Sequence, residues 1–328
     1  MNFVSDLAKL FLIELETVSK NAAEIRLIFH PFVRNSLNHS DDQRRCHLKK
    51  PAVYYHVTSN TPIERLENFL AHINTRTELA TFLAKAAQQY FQKSGVNFLV
   101  VYENKFVSNR NLAQMCSKDL ETGVHGLQTT NQLILLNTVE VAKKDTKRDL
   151  TIKASNTDIV VQLIHFYEFI PANTTVNISG QFANIGELHC YLGDKRSKAL
   201  FGWYAFQGMD GCGTFRGKGL ATQFKFFKKC DEDILTAFSD FGTTPEIPDK
   251  MVDQMERFIC LIYGNSSNKN IKDLRYLMSV KDGLDAKSLP PTKGTLIPHV
   301  SRAYYQTLMG KLRINPQPKT PDPKMYHW

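Results

Sequence analysis

Two stretches of the chain hold residues whose types and spacing suit chemistry on a metal ion or an anion. The first is Ser155-Asn156-Thr157-Asp158, which follows the short run Leu150–Ala154. Open α/β sheets place their sites beyond the carboxyl ends of strands, and a carboxylate there can reach a hard divalent cation. The same position also suits a structural role, with Asp158 capping the amides that open the following helix. The second stretch runs from Gly208 to Gly219, Gly-Met-Asp-Gly-Cys-Gly-Thr-Phe-Arg-Gly-Lys-Gly. Gly211, Gly213, Gly217 and Gly219 leave backbone amides uncovered, and a helix starting just after them would add its positive end. Arg216, Lys218 and Lys225 bring charge to the same place, with Lys228 and Lys229 behind them. The loop is no P-loop, because Lys218 is followed by Gly219 and not by Ser or Thr. It is no dinucleotide fingerprint either, because Arg216 stands where the third glycine should be. Contact with a phosphate backbone is the functional reading of this loop, and a connection between two helices is the structural one.

The elements that must position these residues alternate. Met1 to Glu16 has the spacing of an amphipathic helix and lacks the basic start and cleavage site of a signal peptide. Ile25–Phe29 and Val96–Tyr102 read as strands, the latter a continuous apolar run suited to burial. Between them Leu66–Phe91 carries helical spacing. Gln132–Ala142 predicts a helix, Leu150–Ala154 a strand, Ile159–Phe166 a helix and Val176–Ser179 a strand. Such alternation predicts an α/β fold with a mostly parallel sheet covered on both faces. From Lys198 onward helices dominate: Ala199–Phe206, Phe224–Phe238, Lys250–Tyr263, Ile271–Val280 and Leu296–Leu312. The prolines at 316, 318, 321 and 323 predict a disordered end. The expected division is an N-terminal helix (1–23), an α/β domain (24–205), a helical region with the glycine-rich loop (206–313) and a disordered tail (314–328).

Composition narrows the class. Of 328 residues, 42% are hydrophobic and 22% charged, which suits a globular chain. Lys and Arg number 41 against 32 Asp and Glu, a net charge of +9. That excess fits a polyanionic partner, since neutralising phosphates releases counterions. The six cysteines, Cys46, Cys116, Cys190, Cys212, Cys230 and Cys260, form no C-x-x-C pair, so free thiols are expected, and not disulfides or zinc. No apolar run reaches the ~18–20 residues that span a bilayer. The expectation is a soluble intracellular protein, nuclear or cytoplasmic, without a membrane partner.

The segments FLAHINTRTELATFLAK, NFLVVYENKFVSNRN, LTIKASNTDIVVQLIHFY, AFQGMDGCGTFRGKG and LPPTKGTLIPHVSRAYYQ carry a resemblance. They look like those of an uncharacterised animal family found in mobile-element-like gene copies, from about Ile25 to about Gln306. In that family the corresponding motifs read roughly H-E-E-A-D-T-R, D-T-D-V and T-G-C-D. The order of acids is distantly similar to flap endonucleases and other PIN-like nucleases, which gather carboxylates around two divalent metals. The resemblance therefore implies a PIN-like α/β sheet flanked by helices, with a helical C-terminal region.

Carried over position by position, the acids are largely lost. His30 stands where the family has an acid after its first strand. Leu127, Gln128 and Thr130 fall in the H-E-E-A-D-T stretch, which keeps no carboxylate. Asn156 replaces one acid of D-T-D while Asp158 keeps the other, and Asp210 keeps the acid of G-C-D. Arg34, Arg44 and Arg45 lie where the resemblance places basic residues near the scissile phosphate. Two Mg²⁺ carry four positive charges, and two remnant acids supply only two negative ones. The resemblance thus implies a protein without confident catalytic residues, holding no cofactor or a weakly bound Mg²⁺ or Mn²⁺. It would bind DNA or RNA without sequence preference through Arg34, Arg44, Arg45, Arg216, Lys218, Lys225 and the glycines at 211, 213, 217 and 219. The alternatives are a weak metal-dependent nuclease using Asp158 and Asp210, and a protein-interaction scaffold or mobile-element-derived remnant.

Overall fold

The computed structural model describes all residues except 1, 31–51, 104, 110–129, 210–211, 265–269, 281–282 and 315–319. The described chain forms two compact units, one within residues 1–137 and the other within 138–314 and 320–328.

The first unit opens with helix α1 (Val4–Val18) and strand β1 (Glu24–Ile28), followed by a short helix α2 (Leu66–Phe69) and a long one, α3 (Ile73–Gln92). Strands β2 (Asn97–Tyr102) and β3 (Lys105–Ser108) come next. The single helical stretch expected over 66–91 is broken at residues 70–72, where the imidazole of His72 accepts a hydrogen bond from the Asn74 amide and starts α3 afresh. Strand β2 is apolar on both faces and buried from Phe98 to Tyr102, so it takes the middle of its sheet. Phe98, Val100 and Tyr102 pack on Ala84, Ala87 and Phe91 of α3, with the Phe91 and Phe98 rings stacked 4.7 Å apart. The other face of α3 places Leu79 and Leu83 against Val4 and Ala8 of α1. The period of 3.6 residues in both helices is what brings these side chains onto shared faces.

The division between the units falls within helix α4 (Thr130–Lys144). The second unit continues with β4 (Leu150–Ala154), α5 (Asp158–His165), β5 (Thr174–Ile178), β6 (Gln181–Asn184), α6 (Ile185–Leu192) and α7 (Asp194–Phe206). It closes with α8 (Leu220–Phe227), α9 (Glu232–Asp240), α10 (Met251–Ile262), α11 (Ile271–Val280) and α12 (Lys293–Lys311).

The molecule is α/β, but the one mostly parallel sheet expected from the sequence is replaced by two three-stranded mixed sheets. In each, a parallel pair (β1 with β2, β4 with β5) is extended by an antiparallel edge strand (β3, β6). The physical reason is a tight return after each inner strand. Ser179 and Gly180 take φ +52° and +86°, and Glu103 takes +48°, the left-handed backbone of two-residue hairpin turns. Such turns reverse the chain without leaving room for a helix.

The expected boundary near 205 lies inside the second unit, because α7 packs on α5 before it and on α9 and α12 after it. Helix α7 is buried nearly all round, through Ala199, Leu200, Phe201, Trp203, Ala205 and Phe206. Gly202 lets α9 approach closely: a Cβ there would lie 2.1 Å from the Phe238 carbonyl oxygen. The single helix expected over 224–238 is split at Cys230–Asp231, where the Asp231 carboxylate accepts from the Ile234 amide and caps α9.

The expected disordered tail is corrected in its described part. Asp322 caps a 3₁₀ turn over Pro323–Tyr326, and Tyr326 is only 3% exposed. Its ring lies 5.0 Å from that of Tyr305, and its hydroxyl donates to the Pro245 carbonyl. One anchored aromatic ring outweighs the extended preference of the neighbouring prolines. Residues 315–319 lie outside the described residues.

Two half-buried basic side chains, His165 and Lys311, belong to this unit. Burial pushes the His165 imidazole down to about 4, helped by the Lys311 ammonium. Burial likewise pushes Lys311 down to about 8, while its ammonium donates to the Ser239 carbonyl at 2.6 Å.

Two outcomes follow from this packing. Tyr326→Ala should destabilise the protein by about 3–5 kcal/mol, the usual cost of emptying an aromatic site, whereas Tyr326→Phe should cost about 1 kcal/mol. Chemical denaturation checks both, and a silent Tyr326→Ala would show that the last turn is not docked. For His165 the folded state resists protonation that the unfolded chain accepts near its ordinary 6.5. Its contribution is therefore fully present above pH ~6.5 and falls away toward pH ~4, with a slope of at most about 1.4 kcal/mol per pH unit. His165→Phe should flatten the stability curve in that window; an unchanged slope would contradict the assignment.

Candidate nucleic-acid interface

The loop between α7 and α8 is held from beneath by aromatic contacts. Phe206 ends α7, and its ring lies 5.2 Å from that of Phe215 in the loop. Phe215 and Cys212 are buried, and His299 of α12 closes the layer, 4.9 Å from Phe215 and 5.0 Å from Phe206. His299 Nε2 meets the Phe206 carbonyl at 2.8 Å, and burial holds the imidazole below its ordinary pKa, so it stays neutral and donates. Gly208 has φ +113°, and a Cβ there would meet the Thr214 methyl at 2.6 Å. Glycine is required where the loop folds back on itself.

From this base the tip projects outward. Residues Phe215–Lys218 form a turn closed by the Lys218 amide donating to the Phe215 carbonyl at 3.0 Å, with Gly217 at φ +71°. A glycine third in the turn is what a type II turn demands. Arg216 and Gly217 are exposed at the tip. The Lys218 ammonium sits 4.7 Å from the centre of the Tyr263 ring, a cation–π contact that fixes its direction. The Gln223 side-chain amide donates to the Lys218 carbonyl at 2.7 Å and ties the turn to α8.

Helix α8 begins after Gly219, which is extended and offers no side-chain cap, and its first turn holds no acid. Its opening amides and the helix dipole therefore present positive potential beside Arg216. Lys225 is exposed in its last turn. Gly213 and Gly219 are exposed, so the glycines at 213, 217 and 219 all belong to one loop surface with Arg216 and Lys218. Gln207, 5% exposed, has no hydrogen-bond partner among the described residues at either end of its amide.

Of the two remnant acids, Asp158 is described and Asp210 lies outside the described residues. The N-cap of α5, Thr157, makes no side-chain capping hydrogen bond, and the first residue of the helix is Asp158. Asp158 Oδ1 accepts from the Tyr204 hydroxyl at 2.7 Å, joining α5 to α7. Asn156 is exposed in the preceding loop. In the first unit His30, two residues past β1, and Thr130, which opens α4, meet at 2.7 Å between Nδ1 and Oγ1. Two positions where the resemblance expects acids are thus hydrogen-bonded to each other. Arg34, Arg44, Arg45, Leu127, Gln128, Asp210 and Gly211 lie outside the described residues. Among the described residues no group of three or more His, Cys, Asp or Glu comes together in a form that could hold a metal ion. Nor is any helix long and apolar enough to cross a membrane. Cys190, Cys230 and Cys260 are free thiols; burial pushes Cys230 up to about 12 and Cys260 up to about 11.

Sequence reasoning missed Tyr204 as the partner of Asp158, Tyr263 under Lys218 and His299 under the loop. Each lies more than one element away along the chain, and nothing in local spacing announces such a pairing. Against known proteins, no family model, no curated protein and no solved structure matches this chain.

Proposed function

We propose that this protein binds nucleic acid without sequence preference through backbone phosphates, on a PIN-like, flap-endonuclease-like framework that no longer cuts. The observation that carries the reading is the turn Phe215–Lys218. It exposes Arg216, aims Lys218 through Tyr263, and stands at the uncapped start of α8. A turn with an exposed arginine, a lysine directed by an aromatic ring and the opening amides of a helix suits phosphate oxygens, which accept from arginine, lysine and backbone N–H alike. A net charge of +9 adds long-range attraction for the same polyanion. Phosphates are alike at every step of a strand, so binding of this kind is indifferent to sequence. The partner is DNA or RNA, in the nucleus or cytoplasm.

A second reading, a weak nuclease holding Mg²⁺ or Mn²⁺ through Asp158 and Asp210, draws on the survival of both acids. The bond from Tyr204 gives Asp158 a structural task that needs no metal. A carboxylate has room for further ligands, so the two readings part on activity and not on this hydrogen bond. A protein-interaction scaffold is the third reading, and it predicts no salt-sensitive binding of DNA.

Two measurements separate them. Replacing Arg216 and Lys218 together by alanine should weaken binding to unrelated duplexes by similar factors. It should also flatten log affinity against log salt by about 0.9 for each phosphate that is no longer neutralised. A folded double variant with unchanged affinity and slope would reduce the loop to a helix connection. Flapped, nicked and single-stranded DNA should stay intact in millimolar Mg²⁺ or Mn²⁺. Cleavage that vanishes in both Asp158→Ala and Asp210→Ala would put the nuclease reading first.

A further inference from the structure

Beside the loop, at the other end of α8, lies a surface that local sequence patterns do not assemble. Tyr191, on the last turn of α6, is 70% exposed, an unusual position for a large ring. Lys228, which ends α8, donates to the Tyr191 hydroxyl at 3.3 Å, and its ammonium lies 5.8 Å from the Tyr191 ring and 5.3 Å from the Phe224 ring. Arg196 of α7 donates to the Lys228 carbonyl at 3.2 Å, which locks the end of α8 against α7. Lys225 and Lys229, one turn apart, are exposed on the same helix end. Lys228 therefore meets one open aromatic ring directly, and Arg196, Lys225 and Lys229 add charge along the same helix end. The acids nearby along the chain are Glu187 and Asp194, both exposed, with Glu232 paired to Lys195 at 2.8 Å and Asp231 and Asp233 sharing Arg257. The balance of the surface is positive.

We infer that Tyr191 is a stacking platform for an unpaired base of single-stranded nucleic acid whose phosphates are held by Lys225, Lys228 and Lys229. The inference rests on the phosphate-binding reading above and adds to it a preferred form of the ligand. Aromatic rings set among cations bind single strands because every base offers a π-face, whereas a duplex keeps its bases stacked on one another and cannot use the ring. The hydrogen bond from Lys228 to the Tyr191 hydroxyl fixes the direction of the ring, so little conformational freedom is given up when a base arrives. Tyr191 is a binding residue; it has no part in bond cleavage.

The test compares a short oligothymidine, its abasic counterpart of equal length and a duplex, all at one salt concentration. Wild-type protein should bind oligothymidine more tightly than the abasic strand. Tyr191→Ala should lower affinity for oligothymidine about tenfold and leave the abasic strand and duplex unchanged, while Tyr191→Phe, which keeps the ring but loses the bond from Lys228, should fall between Tyr191→Ala and wild type. An equal response of oligothymidine and abasic strand to Tyr191→Ala, or no response from either, would overturn the stacking role and leave the phosphate reading intact. Failure of wild-type protein to bind the abasic strand and the duplex would instead sink the phosphate reading, and the platform with it. Binding of polyglutamate as tight as that of oligothymidine would assign the surface to an acidic protein segment and also overturn the proposal.

Discussion

The second unit depends on the burial of helix α7. Its apolar residues face α5, α9 and α12 at once, and glycine makes the closest of these approaches possible. A Cβ on Gly202 would collide with the Phe238 carbonyl, and one on Gly310 would lie 2.1 Å from the Phe201 ring. Close packing on every side fixes the position of Phe206, the last residue of the helix, and Phe206 in turn carries the loop. Because Phe215 and His299 pack on that ring, the tip of the loop is held in place although Arg216 and Gly217 are themselves exposed.

A rigid base with an exposed cationic tip is the arrangement that phosphate binding rewards. Ordering a flexible loop on association would cost part of the binding energy, and a tip already fixed avoids that cost. The same economy governs Lys218, whose long side chain is directed by Tyr263, and Lys228, whose ammonium is directed by Tyr191 and Phe224. By contrast, Asp158 is drawn into the fold. Its carboxylate joins α5 to α7 through Tyr204.

Much of this architecture is legible in the sequence, for reasons that can be named. Strand β4 and helix α11 match their expected bounds residue for residue, and β2, α5 and α10 match to within a residue. The short edge strands β3 and β6 escape notice because four polar or mixed residues carry no period, and only the left-handed turn before them marks the return. The break between α8 and α9 is visible in hindsight as Asp231 followed by Glu232 and Asp233, a capping signal outweighed by continuous helical spacing. The docked turn at Tyr326 is hidden by its prolines, since a single anchoring ring has no pattern. For the interface, glycine spacing and basic residues point to the loop, whereas Tyr191, Tyr263 and His299 become visible only when distant elements meet. His30 and Thr130 meet through a hydrogen bond, while Asp210, Gln128 and the arginines at 34, 44 and 45 lie outside the described residues.

The central claim is that the chain grips phosphates and does not read bases. The most direct measurement is the affinity of wild-type protein for several unrelated oligonucleotides over a range of salt concentrations. Phosphate gripping predicts similar affinities at each salt, falling linearly on a logarithmic plot with a slope that counts the phosphates neutralised, about 0.9 for each on a duplex. Affinity that is insensitive to salt, or no binding even at low salt, would contradict it.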